Sequence, residues 1–415
     1  MSLTAALKAY ARSIGLDVVR IARARPWPEV EAVVVSRVRA GLMDGLPWFT
    51  EERVRFSCNP ENLLPGVRSI IAVALNYYTP ASPPPDDQPR GQIARYAWGS
   101  DYHTVLKERL ALLRDFLLAR APGARCVISV DTGRIVDRAV AVQAGLGWYG
   151  KNTCVLVPGY GSWVFLGELL TTVDLDPDPP LRKHCGRCTA CLRVCPTGAL
   201  LGPGIIDNRR CIAFLTIELR GSIPRDLRPL IGTWVFGCDL CQLVCPVNRQ
   251  ARPTGDPRLQ PAPDFDPFPP LLPLLRLTPE EFRQRFRHSA ISRARRQGLL
   301  RNVCVALGNL GDPRAVPALA TVLATEPDPV IREHAAWALG RIGGPAARRA
   351  LETAAGRETD PTVQREIALS LADLAARQDR PAVCPVRPGM AGVGDSRAGE
   401  MVAEALGVAS GPVVG

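Results

Sequence analysis

The chain has 415 residues, of which 51 are Lys or Arg and 40 are Asp or Glu, a formal net charge of +11. That length predicts two to four domains with ample core, and no window approaches eighteen uninterrupted apolar residues, so no membrane association is expected. The basic excess, with a pI near 9.2, favours a polyanionic partner, nucleic acid or an acidic protein, over a merely solvated basic surface.

Residues 1–26 carry apolar positions at helical spacing interrupted by Lys8, Arg12 and Arg20. They lack the apolar core and cleavage site of a signal peptide, so a reducing, cytoplasmic location is expected. Residues 69–75 (SIIAVAL) read as a buried strand. After a proline-rich loop over 80–89, Asp101 is placed to cap a helix whose apolar face is Leu106, Leu110, Leu113 and Leu117. Residues 126–130 read as a second strand closing on Asp131, followed by a helix over 136–144 and an apolar strand over 153–157. Gly145, Gly147 and Gly150 match a dinucleotide fingerprint in letters only. They follow a helix and lead into a strand, the reverse of the required context.

Eight of the thirteen cysteines then fall within about sixty residues. Cys185, Cys188, Cys191 and Cys195-Pro196 spell C-x2-C-x2-C-x3-C-P, in which the fourth cysteine serves the other cluster. Cys238, Cys241 and Cys245-Pro246 repeat the pattern without its leading cysteine, which Cys211 can supply. Two 4Fe–4S clusters are predicted, one on Cys185, Cys188, Cys191 and Cys245, the other on Cys195, Cys211, Cys238 and Cys241. Zinc knuckles would pair the cysteines differently, and a disulfide framework belongs to small secreted domains. Cys58, Cys126, Cys154, Cys304 and Cys384 stand singly and are expected to be mostly buried structural thiols.

Beyond a proline-crowded linker, eight arginines between Arg276 and Arg301 face only Glu280 and Glu281. The chain then repeats itself at a shift of 32: Glu326-Pro-Asp-Pro returns as Glu358-Thr-Asp-Pro, and Ala306-Leu-Gly as Ala338-Leu-Gly. This period resembles HEAT-like helical repeats. The predicted architecture is a multi-domain α+β/α chain: an α/β domain over 1–177, a ferredoxin-like double-cluster domain over 178–250, a linker over 251–275, a basic segment with HEAT-like repeats over 276–378, and a disordered tail over 379–415.

Asp131, at the end of a buried strand, stands where α/β sheets place ligands. Partial burial is expected to raise its pKa and keep it protonated as a general acid, the alternative being a simple turn cap. Asp101-Tyr102-His103 begins like a cobalamin-ligating D-x-H-x-x-G box, but Leu106 stands in place of the glycine, so His103 is not expected to bind cobalt.

Residues 95–103, 130–133, 145–153, 165–169, 211–218 and 237–246 together resemble the epoxyqueuosine reductases, in order along 10–375. The resemblance implies an enzyme that reduces the epoxide of epoxyqueuosine at the tRNA wobble position, with base-off cobalamin in the N-terminal domain. It implies Asp131 as proton donor, Asp101, Tyr102 and His103 beside the modified base, and corrin contacts at Arg53, Ala94, Asp131, Val155, Leu166 and Ala213. Arg293, Arg295, Arg296 and Arg301 are the expected tRNA-phosphate contacts. An external low-potential electron donor and a monomeric state are also expected. Arg134 and Ala213 depart from the family pattern, where proline and serine are common. The competing readings are a reductive dehalogenase-like corrinoid enzyme acting on a small molecule, and a non-catalytic 4Fe–4S carrier.

Overall fold

The structure is a computed structural model and describes residues 2–378. The tail over 379–415, with Cys384, lies outside the described residues. The chain begins with α1 (Leu3–Ser13), β1 (Val18–Arg23), α2 (Pro28–Arg39), α3 (Glu51–Ser57), β2 (Ser69–Asn76) and β3 (Gln92–Ile93). Next come α4 (Tyr102–Leu118), β4 (Cys126–Ser129), α5 (Asp137–Gln143), β5 (Trp148–Tyr149), β6 (Val155–Leu156) and β7 (Val164–Thr171). The cysteine-rich stretch holds α6 (Ala190–Val194), β8 (Leu200–Gly202), β9 (Ile205–Ile206), α7 (Ile212–Ile217), β10 (Trp234–Phe236) and α8 (Leu240–Leu243). Helices follow: α9 (Leu271–Leu275), α10 (Pro279–Phe286), α11 (Arg295–Leu310), α12 (Val316–Thr325), α13 (Pro329–Ile342), α14 (Gly344–Ala355) and α15 (Pro361–Gln378). None of the described helices is long and apolar enough to cross a membrane.

The chain folds as two compact units, Met1–Ala81 with Arg95–Arg209 and Cys245–Phe265, and Ser82–Ala94 with Arg210–Val244 and the residues from Asp266 onward. The first is built on an antiparallel sheet in the order β1-β2-β7-β4. Every residue of β2 is buried because both faces of the sheet are covered. On one face Leu106 and Leu110 of α4 close over Gly167, where an added Cβ would lie 2.8 Å from Leu106 Cδ2. On the other, Val140 and Ala141 of α5, with Ala144 just after it, join Ala72, Ala74 and Leu170 in a single core. The predicted strand at 69–75 and the Asp101-capped helix are present. The strands β1 and β7 were not anticipated from sequence, and the strand expected over 153–157 shortens to Val155–Leu156.

The eight-cysteine segment, expected as one domain over 178–250, divides between the units. Cys245 stays with the first, where the neighbouring Asn248 Oδ1 accepts from Ser162 N at 2.7 Å. Residues 210–244 stay with the helical repeats, because Asn302 of α11 donates to Thr216 O and Val235 O, both at 2.8 Å. Nor is 251–275 a free linker. Thr254 N donates to Tyr78 O and Asn76 Nδ2 to Arg252 O within the first unit, and 271–275 forms α9 in the second.

The repeats have a plain physical basis. Asp328 caps α13 by accepting from Val330 N, and Asp360 does the same for Thr362 N, with Pro329 and Pro361 as first helical residues. Gly308 and Gly340, one repeat apart, let adjacent helices meet: a Cβ on Gly308 would sit 2.7 Å from the Trp337 ring. Arg228 is buried against Glu333 and Glu366, a charge cluster that loses far more by removal of one member than it contributes as a whole.

Arg301 is corrected by this unit. It is 1% exposed, and its guanidinium donates to Leu215 O, Leu219 O and Gly221 O, so it is a buried strut and not a phosphate contact. Substituting Asn302→Ala leaves two buried carbonyls without donors and is expected to destabilise the protein by roughly 2–4 kcal/mol in denaturant unfolding; a loss below about 0.5 kcal/mol, within the range of an ordinary surface change, would refute the clamp.

Candidate active site and cysteine clusters

Strand β4 ends at Ser129, and the chain turns back through Val130, Asp131, Thr132 and Gly133. Asp131 adopts the left-handed conformation, φ 47°, a cost of about 1 kcal/mol for a residue with a Cβ. Three features hold the turn there. Arg53 Nη2 donates to Gly133 O at 3.1 Å, the Arg134 guanidinium lies 4.3 Å from the centre of the Phe56 ring, and Gly133 packs so tightly on Ser129 that a Cβ would collide with its hydroxyl. Arg134, a departure from the family pattern, thus has a role of its own in the turn.

Helix α4 brings three polar side chains to this turn. Asp101 Oδ1 accepts from His103 N at 2.9 Å, capping the helix, and the same oxygen lies 2.8 Å from His103 Nδ1. The other ring nitrogen, Nε2, lies 3.3 Å from Asp131 Oδ2, an ion-pair contact. Tyr102 donates its hydroxyl to that carboxylate oxygen at 2.6 Å. The Tyr102 ring stacks on His103 and, nearly parallel, on Phe165 of β7, with centroids 4.2 Å apart in both cases. Asp101, Tyr102, His103 and Asp131 are therefore one constellation.

Its proton is not where the sequence suggested. Asp131 has 57% of its side-chain surface exposed. Desolvation pushes its pKa up, but the His103 and Tyr102 contacts outweigh it and leave the pKa below the usual carboxylate value. His103 is pushed up to about 9, first by Asp101 and then by Asp131. Burial, then Asp131, raise the Tyr102 phenol, and the bond from His103 lowers Asp101. At neutral pH the site is an imidazolium between two carboxylates. The expectation that burial alone keeps Asp131 protonated is corrected: its proton is held next door, on His103.

Around the turn, Val155 is buried, while Val136, Val164 and Leu166 are half-buried on the edge of the α5-side core. The buried Trp148 Nε1 has no hydrogen-bond partner among the described residues. Ala94 and Ala213 lie in the second unit, Ala94 N donating to Phe236 O at 2.8 Å. Gly147 and Gly150 belong to the β5–β6 hairpin, with no helix after it, in agreement with the rejected nucleotide motif.

In the first unit Cys185, Cys188, Cys191 and Cys245 act on one another. Burial raises the Cys191 thiol, followed by its neighbours Cys245, Cys185 and Cys188; Cys245 is likewise raised by burial and by Cys185 and Cys188. None of the twelve described cysteines is in a disulfide. Among the described residues no three His, Cys, Asp or Glu converge as a single-metal site. Cys195 caps the end of α6 with an extended backbone, ψ 107°. Cys211, Cys238 and Cys241 lie in the second unit, Cys211 at the start of α7 and Cys241 within α8. Of the single cysteines, Cys58 and Cys304 are buried and Cys126 and Cys154 half-buried.

The candidate phosphate contacts divide. Arg296 grips Glu326 and Leu277 O, and Arg293 forms a two-pronged pair with Glu218 while remaining half exposed. Arg295 is exposed, and Arg220, unforeseen in the sequence, is close enough to Arg293 and Arg295 for their repulsion to add to burial in lowering its pKa. His103 should titrate near 9 by NMR, and lower in Asp101→Asn. Because the folded pKa is raised, the stability it contributes is complete below about 6.5 and is lost as pH rises through about 9. A His103 resonance titrating at 6.5 would sink this assignment.

Comparison with known proteins agrees with this layout. The family model "Epoxyqueuosine reductase QueG, DUF1730" matches residues 58–132, a "4Fe-4S double cluster binding domain" model matches 184–248, and a "HEAT repeats" model matches 286–372. The epoxyqueuosine reductase of Bacillus cereus is 38% identical over 332 residues, 79% of this chain and 86% of the relative. That of Gloeobacter violaceus is 43% identical over 323 residues, 76% and 99% of the two chains. A crystal structure of epoxyqueuosine reductase with a tRNA-Tyr epoxyqueuosine-modified stem loop superposes with a TM-score of 0.84 at 38% identity, covering 90% of this chain and 99% of that one. A Bacillus subtilis enzyme structure, described as having its aspartate-bearing catalytic loop swung out of the active site, superposes with a TM-score of 0.82 over the same shares. The chain belongs to the epoxyqueuosine reductase family.

Proposed function

We propose that this protein reduces the epoxide of epoxyqueuosine in tRNA to the alkene of queuosine, with the Asp131–His103 pair delivering the proton to the departing oxygen. The observation that carries this reading is the constellation itself, an exposed carboxylate holding a protonated imidazole and a phenol at the end of a strand, in a chain of this family. An epoxide oxygen leaves poorly as an anion, and a positioned acid lowers that barrier. Asp131 is the exposed member able to meet a substrate, and His103 refills it across the 3.3 Å contact. Tyr102, locked between rings, fixes the carboxylate's direction.

The overall change consumes two electrons and two protons and releases water. In this reading one 4Fe–4S cluster is held by Cys185, Cys188, Cys191 and Cys245 and the other by Cys195, Cys211, Cys238 and Cys241, fed by an external one-electron donor. The chemistry of the set fits: eight thiols, two of which, Cys191 and Cys245, are raised in pKa by burial and by the neighbouring Cys185 and Cys188.

Base-off cobalamin would lie against the half-buried Val164 and Leu166, with Arg53, Val155 and Asp131 from the same unit. When bound it would supply a strongly reducing cobalt centre to the substrate. Two observations support the fit: apolar side chains left half-covered beside the Asp131 turn, and a His103 whose two nitrogens already face carboxylates, which suits a cofactor without a histidine ligand. Arg293 and Arg295, with Arg220, are the proposed tRNA-phosphate contacts, and the protein is proposed to act as a monomer.

Anaerobically reconstituted protein should bind about eight irons, two cubanes' worth, together with a corrinoid. Asp131→Asn should retain both yet lose roughly 10²-fold or more in alkene formation; undiminished turnover would reassign the acid. Arg295→Ala should reduce the slope of log affinity for tRNA against log salt by about one. An unchanged slope would move the RNA contact elsewhere.

A further inference from the structure

Behind Asp131 the first unit buries two more carboxyl groups that the scheme above leaves idle. Glu168 sits in the middle of β7, 1% exposed, opposite Ala72 on β2 and Ser129 on β4. Alternation places Leu166 and Leu170 on the same face, within the apolar core under α5. Asp137, the first residue of α5, lies close enough to Glu168 for the two carboxyls to shift each other's protonation. Yet neither Glu168 oxygen nor Asp137 Oδ1 has a donor partner among the described residues, and the Ser129 hydroxyl has no partner either.

Two ionised carboxylates are acceptors only, so a buried neighbouring pair with no donor beside it is stable only with a proton on one member. Burial pushes Glu168 well above the usual range, with repulsion from Asp137 adding to it. Asp137 is pushed up to about 7, again first by burial, with its bond to Glu168 lowering it and Asp131 raising it. The charged groups facing the pair are Asp131 from the turn and Arg138 from α5. Strands β2 and β4 present only Ala72 and Ser129, and α4 covers the opposite face of the sheet. Ser129 links the pair to the site: strand register sets it beside Glu168, and its hydroxyl lies directly beneath Gly133 of the Asp131 turn.

We propose that Asp137 and Glu168 form a proton-sharing carboxyl pair that stores the second proton of the epoxide reduction and returns it to Asp131 through the Ser129 side of the turn. This rests on Asp131 delivering the first. The stoichiometry asks for such a store. Both C–O bonds break, two electrons from the one-electron donor form the C=C bond, and the oxygen leaves as water carrying two protons. His103 holds one proton and the buried pair holds another. Neither Asp137 nor Glu168 touches the substrate in this scheme, so both are positioning residues.

Glu168→Gln separates this role from a structural one, because the amide keeps the shape and can donate to Asp137 but cannot release a proton. The variant should fold with a nearly parental melting temperature and bind both cofactors. It should slow single-turnover alkene formation roughly 10²-fold and lose the fall in rate that the parent shows as pH rises through about 7. Infrared spectra of the parent at pH 7 should contain a protonated-carboxyl band that disappears in Glu168→Gln, and Asp137→Asn serves as the second variant if Glu168→Gln is unstable. Parental rate and pH profile in Glu168→Gln, or no such band in the parent, would overturn the proposal while leaving epoxide reduction intact. A parent protein that reduces no epoxide would instead overturn the functional reading, and the infrared band would still decide whether the pair shares a proton.

Discussion

An imidazolium between two carboxylates holds the site together. Without its positive charge, Asp101 and Asp131 would face each other across His103 as uncompensated carboxylates. With it, Asp131 accepts a left-handed backbone, stays exposed to incoming substrate and keeps a proton within 3.3 Å. The remaining contacts at the turn, from Arg53 to Gly133 O and from Tyr102 to Asp131, fix direction; His103 fixes charge.

What the sequence could convey follows from what kinds of signal it carries. Local signals read correctly: the apolar run of β2, the Asp101 cap with its Leu106–Leu110–Leu113–Leu117 face, the cysteine spacing, and the 32-residue repeat whose Asp-Pro pairs prove to be helix starts. Non-local ones did not. Strand β7 carries Gly167 and Glu168 at its centre, residues that weaken any strand pattern, and only the covering helices explain them. The protonation of Asp131 depended on His103, twenty-eight residues earlier in sequence and reached only by folding. Burial of a carboxyl was visible in the strand pattern; the neighbour that reverses its effect was not.

The arginines teach the same lesson about charge. A net charge of +11 reads as a surface property, yet Arg301 and Arg228 are buried inside the second unit, where they hold carbonyls and carboxylates. Arg296 and Arg332 are similarly engaged with Glu326 and Glu358. The basic segment is therefore a mixture of internal ties at Arg296 and Arg301 and an exposed set, Arg276, Arg283, Arg285, Arg287, Arg293 and Arg295. Sequence shows the count, and only packing shows which guanidiniums face outward.

One oxygen of Asp101 has two duties, receiving the amide of His103, the second residue of α4, and that residue's ring nitrogen. The start of a seventeen-residue helix and the charge state of the site are thus read by a single atom. Because α4 also carries the leucines that close over Gly167, the chemistry is mechanically continuous with the sheet beneath it, and this corner of the protein has no purely structural or purely chemical residue to exchange.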